Sequence, residues 1–214
     1  MFDQALYAKA TEIKWKHREQ FKDVVLRMGV FHTICIFLSV IGKRFQDAGL
    51  RDVIIESGVI VEGSVFGVLE CRTYNRAIRF HELMYEALNR LAWMGFNYWI
   101  DEHHTEKKHL VDGFFKGLKV LFDKTCEQEF KAAVASPSFG ELSQLFCSYM
   151  HHIRQGMGKL LQFWMSYVDM VETLLGLLRA SQEGDWELHL SSISEIVPWC
   201  FAYDNLNYAS YLSA

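Results

Sequence analysis

Only two prolines, Pro137 and Pro198, occur in 214 residues. Proline removes an amide donor and clashes with the preceding helical turn, so it breaks helix interiors. A chain this poor in proline favours long helices. The apolar residues are spaced to match. Within residues 73–94, Ala77, Phe80, Met84, Ala87 and Leu91 recur three or four apart, the period of one helical face. Leu110, Phe114, Leu118, Leu121 and Phe122 do the same within 107–135.

Further helices are expected at 3–17, with Asp3 as a candidate N-cap, and at 30–45, closed by Lys43 and Arg44 with Gly49 beyond. Glycines at 58, 63 and 67 divide 50–69 into short helices. Ser136, Pro137 and Ser138 break the chain ahead of helices at 141–153 and 158–180. A shorter helix at 186–197 follows, and Pro198 suits the first turn of a last one. Gly95 is a candidate end or kink for the helix at 73–94. The expected fold is mainly α: an irregular multi-helix bundle of about eight or nine helices. At most one or two short strands are expected, near residues 23–29, where a β-branched run ends at Gly29.

Composition limits the function. Half of the residues are hydrophobic and the net charge is -4. That excludes a disordered chain, which needs low hydrophobicity and high charge. Of the 26 acidic residues, five follow Arg179, leaving 21 against all 22 Lys and Arg. The body of the chain is therefore balanced, without the net basic face of a dedicated nucleic-acid module. Five scattered cysteines (35, 71, 126, 147 and 200) make no CxxC pair and read as reduced thiols. The apolar stretches at 30–42 and 160–178 are too short or carry acids, so no membrane span is expected. No signal-peptide pattern opens the chain. The expectation is a soluble, intracellular protein.

Several groupings bear chemistry. His103, His104 and His109 lie in one segment, and His151 and His152 in another. With Cys147 they offer ligand types that zinc takes, but in no standard spacing; the alternative is polar histidines near helix ends. Phosphate-binding glycine loops and the GxSxG nucleophile turn are missing. Arg72, Arg76 and Arg79 recur four and three apart, making one basic stripe on a helix. Such a stripe either holds nucleic-acid phosphates or pairs with Glu70, Glu82 and Glu86.

Four stretches together carry a resemblance: FDQALYAKATEI at 2–13, RMGVFHTICIFLSVIGKRFQDAGLRDVIIESGVI at 27–60, YNRAIRFHELMYEALNRL at 74–91 and PWCFAYDNLNYASYL at 198–212. The chain resembles uncharacterised, mobile-element-derived proteins of animal genomes, themselves similar to RNase H-like transposases with a large helical insertion. The resemblance implies that the strand near 23–29 is a remnant of the RNase H-like sheet. It also implies that 1–41 is a fragment of the nuclease-like core, 42–197 the helical insertion and 198–214 the truncated last helix of the core. Asp3 would be a metal-binding carboxylate, His32 a residue beside the site, and the final acid either Asp204 or a residue beyond the end of the chain. The implied chemistry is DNA strand transfer or cleavage with two Mg2+ ions about 4 Å apart.

Ser210 stands where the family's last motif reads Arg, and the chain starts two residues before Asp3. The expectation is therefore a fragment truncated at both ends and catalytically inactive, with residual DNA binding through Arg72, Arg76 and Arg79. The location would be nuclear if the transposase resemblance carries function, and otherwise cytoplasmic. The alternative is a helical protein-protein interaction module, self-associating or binding a partner through exposed apolar surface.

Overall fold

The apolar run at 30–45 forms a helix with those bounds, Val30–Phe45 (α2), preceded by the shorter α1 (Gln4–Lys16). These elements come from a computed structural model that describes the backbone of residues 4–124, 127–156 and 158–213, and the side chains of all of these but 4, 118–124 and 127. Asp3 and Cys126 lie outside the described residues, as do the side chains of Leu118, Leu121 and Phe122.

After α2, a 3-10 turn runs to Gly49, whose φ of 105° ends the helical path as glycine allows. Then come α3 (Leu50–Glu56), α4 (Val65–Leu69), α5 (Tyr74–His103), α6 (Lys108–Lys124), α7 (Glu127–Val134), α8 (Pro137–Gly156), α9 (Lys159–Glu183), α10 (Trp186–Ala202) and α11 (Leu206–Leu212). The described residues thus hold eleven α-helices, and the protein is mainly α.

Three expectations are corrected in detail. Gly95 does not end α5, which runs on to His103. It sits where a β-carbon would run into the Tyr149 phenol, so its smallness serves packing. Pro137 opens α8 as its first residue, with the Ser136 hydroxyl accepting from the Phe139 amide at 3.3 Å. Pro198 lies inside α10 instead of starting a new helix. Ile193, Ile196 and Cys200, all buried, straddle it, and their burial holds the helix through the missing donor. Residues 24–27 are non-helical, and Met28 is a single bridge residue and not part of a strand. Val24 and Val25 are exposed, so this run lacks the packing that would favour a strand.

The chain divides into two compact units, residues 1–85 with 166–214 and residues 86–165. In the first, α2 is the centre. Phe37, Leu38, Ile41 and Phe45 are fully buried, each stabilising by about 1.5–3 kcal/mol. Gly42 lets α2 lie against the backbone of α4, because a β-carbon there would overlap the Leu69 carbonyl. Tyr7 of α1 meets Tyr211 of α11 at 5.2 Å. Arg27 stacks over Trp186 at 4.8 Å and donates to His189 Nδ1 at 3.0 Å, tying the segment before α2 to the start of α10. Asp185 caps that start by accepting from the Leu188 amide.

The second unit is held by aromatic rings. Trp93 stacks on Phe146 at 4.2 Å, and buried Phe96 packs against Trp93, Phe146 and Tyr149. Phe114 of α6 meets Phe139 of α8 at 5.2 Å.

Candidate anion-binding cleft

The turn from α4 into α5 sets the cleft. The amides of Arg72 and Thr73 both donate to the Gly67 carbonyl, and the Ala77 amide to that of Thr73, so α5 starts at a fixed place. Its first turn carries no acid. The amino-terminal partial charge of the helix is thus left uncompensated by its own side chains. Ala77, Phe80 and His81 face the core, which puts Arg76 and Arg79 on the outer side. The cleft of about 460 Å3 is lined by Val59, Ile60 and Val61 and by Asn75, Arg76, Arg79 and Phe80.

The sequence stripe is therefore brought together only in part. Arg72 is engaged elsewhere, donating to Glu70 at 2.9 Å and lying over the Phe66 ring at 4.8 Å. Arg79 reaches Glu82 at 3.5 Å in an exposed pair worth little in water. Arg76 makes no ion pair among the described residues, so the cleft holds one uncommitted and one weakly committed guanidinium.

A wider groove of about 550 Å3 has the opposite character. Asp169, Glu172 and Glu195 line it, with Thr173 donating to Glu195 at 2.5 Å. Its cation, Arg179, is paired with Glu183, and three carboxylates repel phosphate, so size does not make this groove the nucleic-acid site.

The conspicuous histidines gather in the second unit. Trp99 stacks on His103 at 5.5 Å and meets His104 at 4.8 Å and His152 at 6.4 Å. The two sequence segments do converge, yet no three His, Cys, Asp or Glu among the described residues form a group able to hold a metal ion. His109 instead bonds the Glu106 carbonyl, and His151 and Cys147 are exposed.

His32 is exposed on α2, edge-on to Phe31. Asp204 is exposed in the turn after α10, at φ 57°. The two share no hydrogen bond.

Sequence reasoning passed over a strongly perturbed buried pair, His81 and Tyr167. His81 is fully buried, which pushes its pKa down to about 3. Its Nδ1 shares a 2.7 Å hydrogen bond with the Tyr167 hydroxyl, itself held protonated by burial, while Nε2 has no partner. The available signal was its place beside Phe80 on the apolar face of α5.

The fold and this cleft define a mainly α protein with a small cationic and aliphatic recess and no helix, among the described residues, long and apolar enough to cross a membrane. The chain belongs to the family of a domain of unknown function, DUF8702, which matches residues 1–213. No curated protein and no solved structure matches it.

Proposed function

We propose that this is a mobile-element-derived helical protein that works by binding, and that the Arg76 and Arg79 cleft is its contact with DNA phosphate. Descent from an RNase H-like transposase rests on the four sequence stretches given above, with 42–197 as the inserted helices. The observation that carries the binding reading is the presence of both guanidiniums in one recess at the amino-terminal end of α5. Helix amides and arginines favour the same ligand charge there.

Asp3, His32 and Asp204 are ancestral positions on this reading. No three His, Cys, Asp or Glu among the described residues form a ligand group for Mg2+, and Asp3 lies outside them.

Two phosphate contacts predict weak, nonspecific binding with a shallow salt response. The slope of log Kobs against log salt for duplex DNA would be about -1.8. Titrating a labelled duplex against the whole chain measures it. The double substitution Arg76→Ala with Arg79→Ala should bring the slope close to zero. A wild-type response that is already flat, or a double variant that keeps the slope, would reject the reading.

A second reading has its own observation. Val59 and Val61 are exposed beside the arginines, and Phe66 is exposed nearby in sequence. An aliphatic wall next to cations also suits a peptide with an apolar and an acidic side chain. Binding of such a peptide, with DNA binding absent, would make the protein a helical interaction module.

A further inference from the structure

The run ahead of α2 presents backbone that the chain itself does not use. Residues 24–27 form no helix, turn or bend and none has a positive φ, so the chain runs extended there. Gly29 beyond them is extended as well, at φ -70° and ψ 121°. Val24 is bonded to its own chain: its amide donates to the Phe21 carbonyl, and its carbonyl accepts from the Lys14 ammonium at 2.6 Å. The backbones of Val25, Leu26 and Arg27 make no hydrogen bond among the described residues. Successive residues of an extended run turn their backbone groups to alternate edges. Val24 thus marks the inner edge, while Val25 and Arg27 present theirs on the outer one. Val25 is also 86% exposed, and its β-branched side chain suits a pleated surface.

The charges of this run are arranged symmetrically. Asp23 stands before three aliphatic residues and Arg27 after them. Neither makes an ion pair among the described residues. Arg27 lies over Trp186 at 4.8 Å and reaches His189 through one terminal nitrogen, yet its Nε is buried without a hydrogen bond. The guanidinium is therefore held in place and lacks a carboxylate. Trp186 beneath it is half-exposed, and so is Leu190, one turn further along α10. Apolar surface continues beside the run.

We propose that this edge is where two copies of the chain meet, by antiparallel β pairing about a two-fold axis at Val25. An open edge is a template for another strand. The two Val25 residues exchange amide-to-carbonyl hydrogen bonds across the axis. The same register brings Asp23 of each copy beside Arg27 of the other and sets Val24 near Leu26. Such self-complementarity is what an isologous two-fold contact requires. A parallel pairing would set acid against acid and base against base, and like charges opposite one another destabilise a strand pair. An unrelated strand would have to bring an acid and a base at the same spacing, which a second copy carries by construction. The contact uses neither Arg76 nor Arg79, so it stands or falls apart from the DNA reading.

Sedimentation equilibrium of the whole chain, from low to high micromolar concentration, tests this. The mass should rise from that of one chain toward that of two. Val25→Pro removes the exchanged amide at a residue whose backbone makes no bond within its own chain. That variant should keep the wild-type circular dichroism and unfolding midpoint and stay monomeric. Asp23→Lys sets like charges beside each other at both ends of the pairing and should weaken the dimer by about tenfold or more. Val25→Cys, treated with a short thiol-to-thiol crosslinker and mapped by peptide, should join the two copies through that position. A wild-type mass that stays at one chain throughout overturns the proposal. So does a Val25→Pro chain that dimerises as tightly as wild type, or a dimer whose Val25→Cys form is joined only through other cysteines.

Discussion

The two compact units treat their polar groups in opposite ways. The first encloses them: His81 is fully buried against Tyr167, and His189 is buried beside Arg27. The second leaves them outside, where His103 and His152 are exposed around Trp99 and the rings beneath carry the packing. Their tight glycines differ in the same sense. Gly42 in the first faces backbone, while Gly95 in the second faces the tip of a tyrosine. The lesson is that a crowded cluster in sequence is not the group under most physical constraint. Here the isolated His81 and His189 are constrained and the clustered ones are free to be solvated.

Gly42→Ala should break the first unit most severely. The Leu69 carbonyl belongs to a helix and has no rotamer by which to give way. The expected loss exceeds about 3 kcal/mol, the upper range for overpacking, and is read from urea unfolding. A loss under about 1 kcal/mol would mean that α2 and α4 slide apart cheaply, and that the first unit is no tighter than the second.

Acid should come next. Unfolded, His81 titrates near its ordinary 6.5; folded, burial holds it down to about 3. Between those values the unfolded chain binds the extra proton. Stability is therefore full above about pH 6.5 and falls as the pH drops, by about 1.4 kcal/mol per unit while the folded group stays neutral. By pH 5 the loss is about 2 kcal/mol. His189 is also held low, by its burial first and Arg27 second, and adds in the same direction. In His81→Gln most of this dependence should vanish from unfolding curves taken between pH 5 and 7. A dependence that survives unchanged would place the acid sensitivity elsewhere.

These constraints also mark what the sequence could and could not reveal. The bounds of α2 follow from local signals: an apolar run, Lys43 and Arg44 at its end, and Gly49 beyond. The course of α5 past Gly95 and of α10 past Pro198 depends on partners distant in the chain, and local punctuation points the wrong way there. His81 meets a residue 86 positions on, and Arg27 one 162 positions on, distances that no periodicity encodes. The arginine stripe was legible as spacing. The diversion of Arg72 to Phe66 and the wall of Val59 and Val61 were not, because each needs the α4–α5 turn in place.

The second unit should respond more gently. Gly95→Ala meets the Tyr149 phenol tip, and a small ring rotation relieves most of the overlap. Tyr149 is buried, so the relief is incomplete and a loss of about 1 kcal/mol is expected. The same assay as for Gly42→Ala makes the pair a direct measure of backbone against side-chain obstruction. Equal losses would erase that distinction.

The smallest effect should come from the most visible residues. His103 and His152 have ring centroids 6.2 Å apart on the outer side of Trp99, both exposed. His103 Nδ1 bonds the Trp99 carbonyl within its own helix, a carbonyl that water would serve nearly as well. Substituting either by alanine should change stability by less than about 0.5 kcal/mol. Trp99 gives the readout, since its fluorescence should shift as an imidazole is removed from its face while the unfolding midpoint stays put. A loss above about 1.5 kcal/mol from either substitution would show that the second unit depends on its histidines as the first depends on His81, and the contrast between the units would fail.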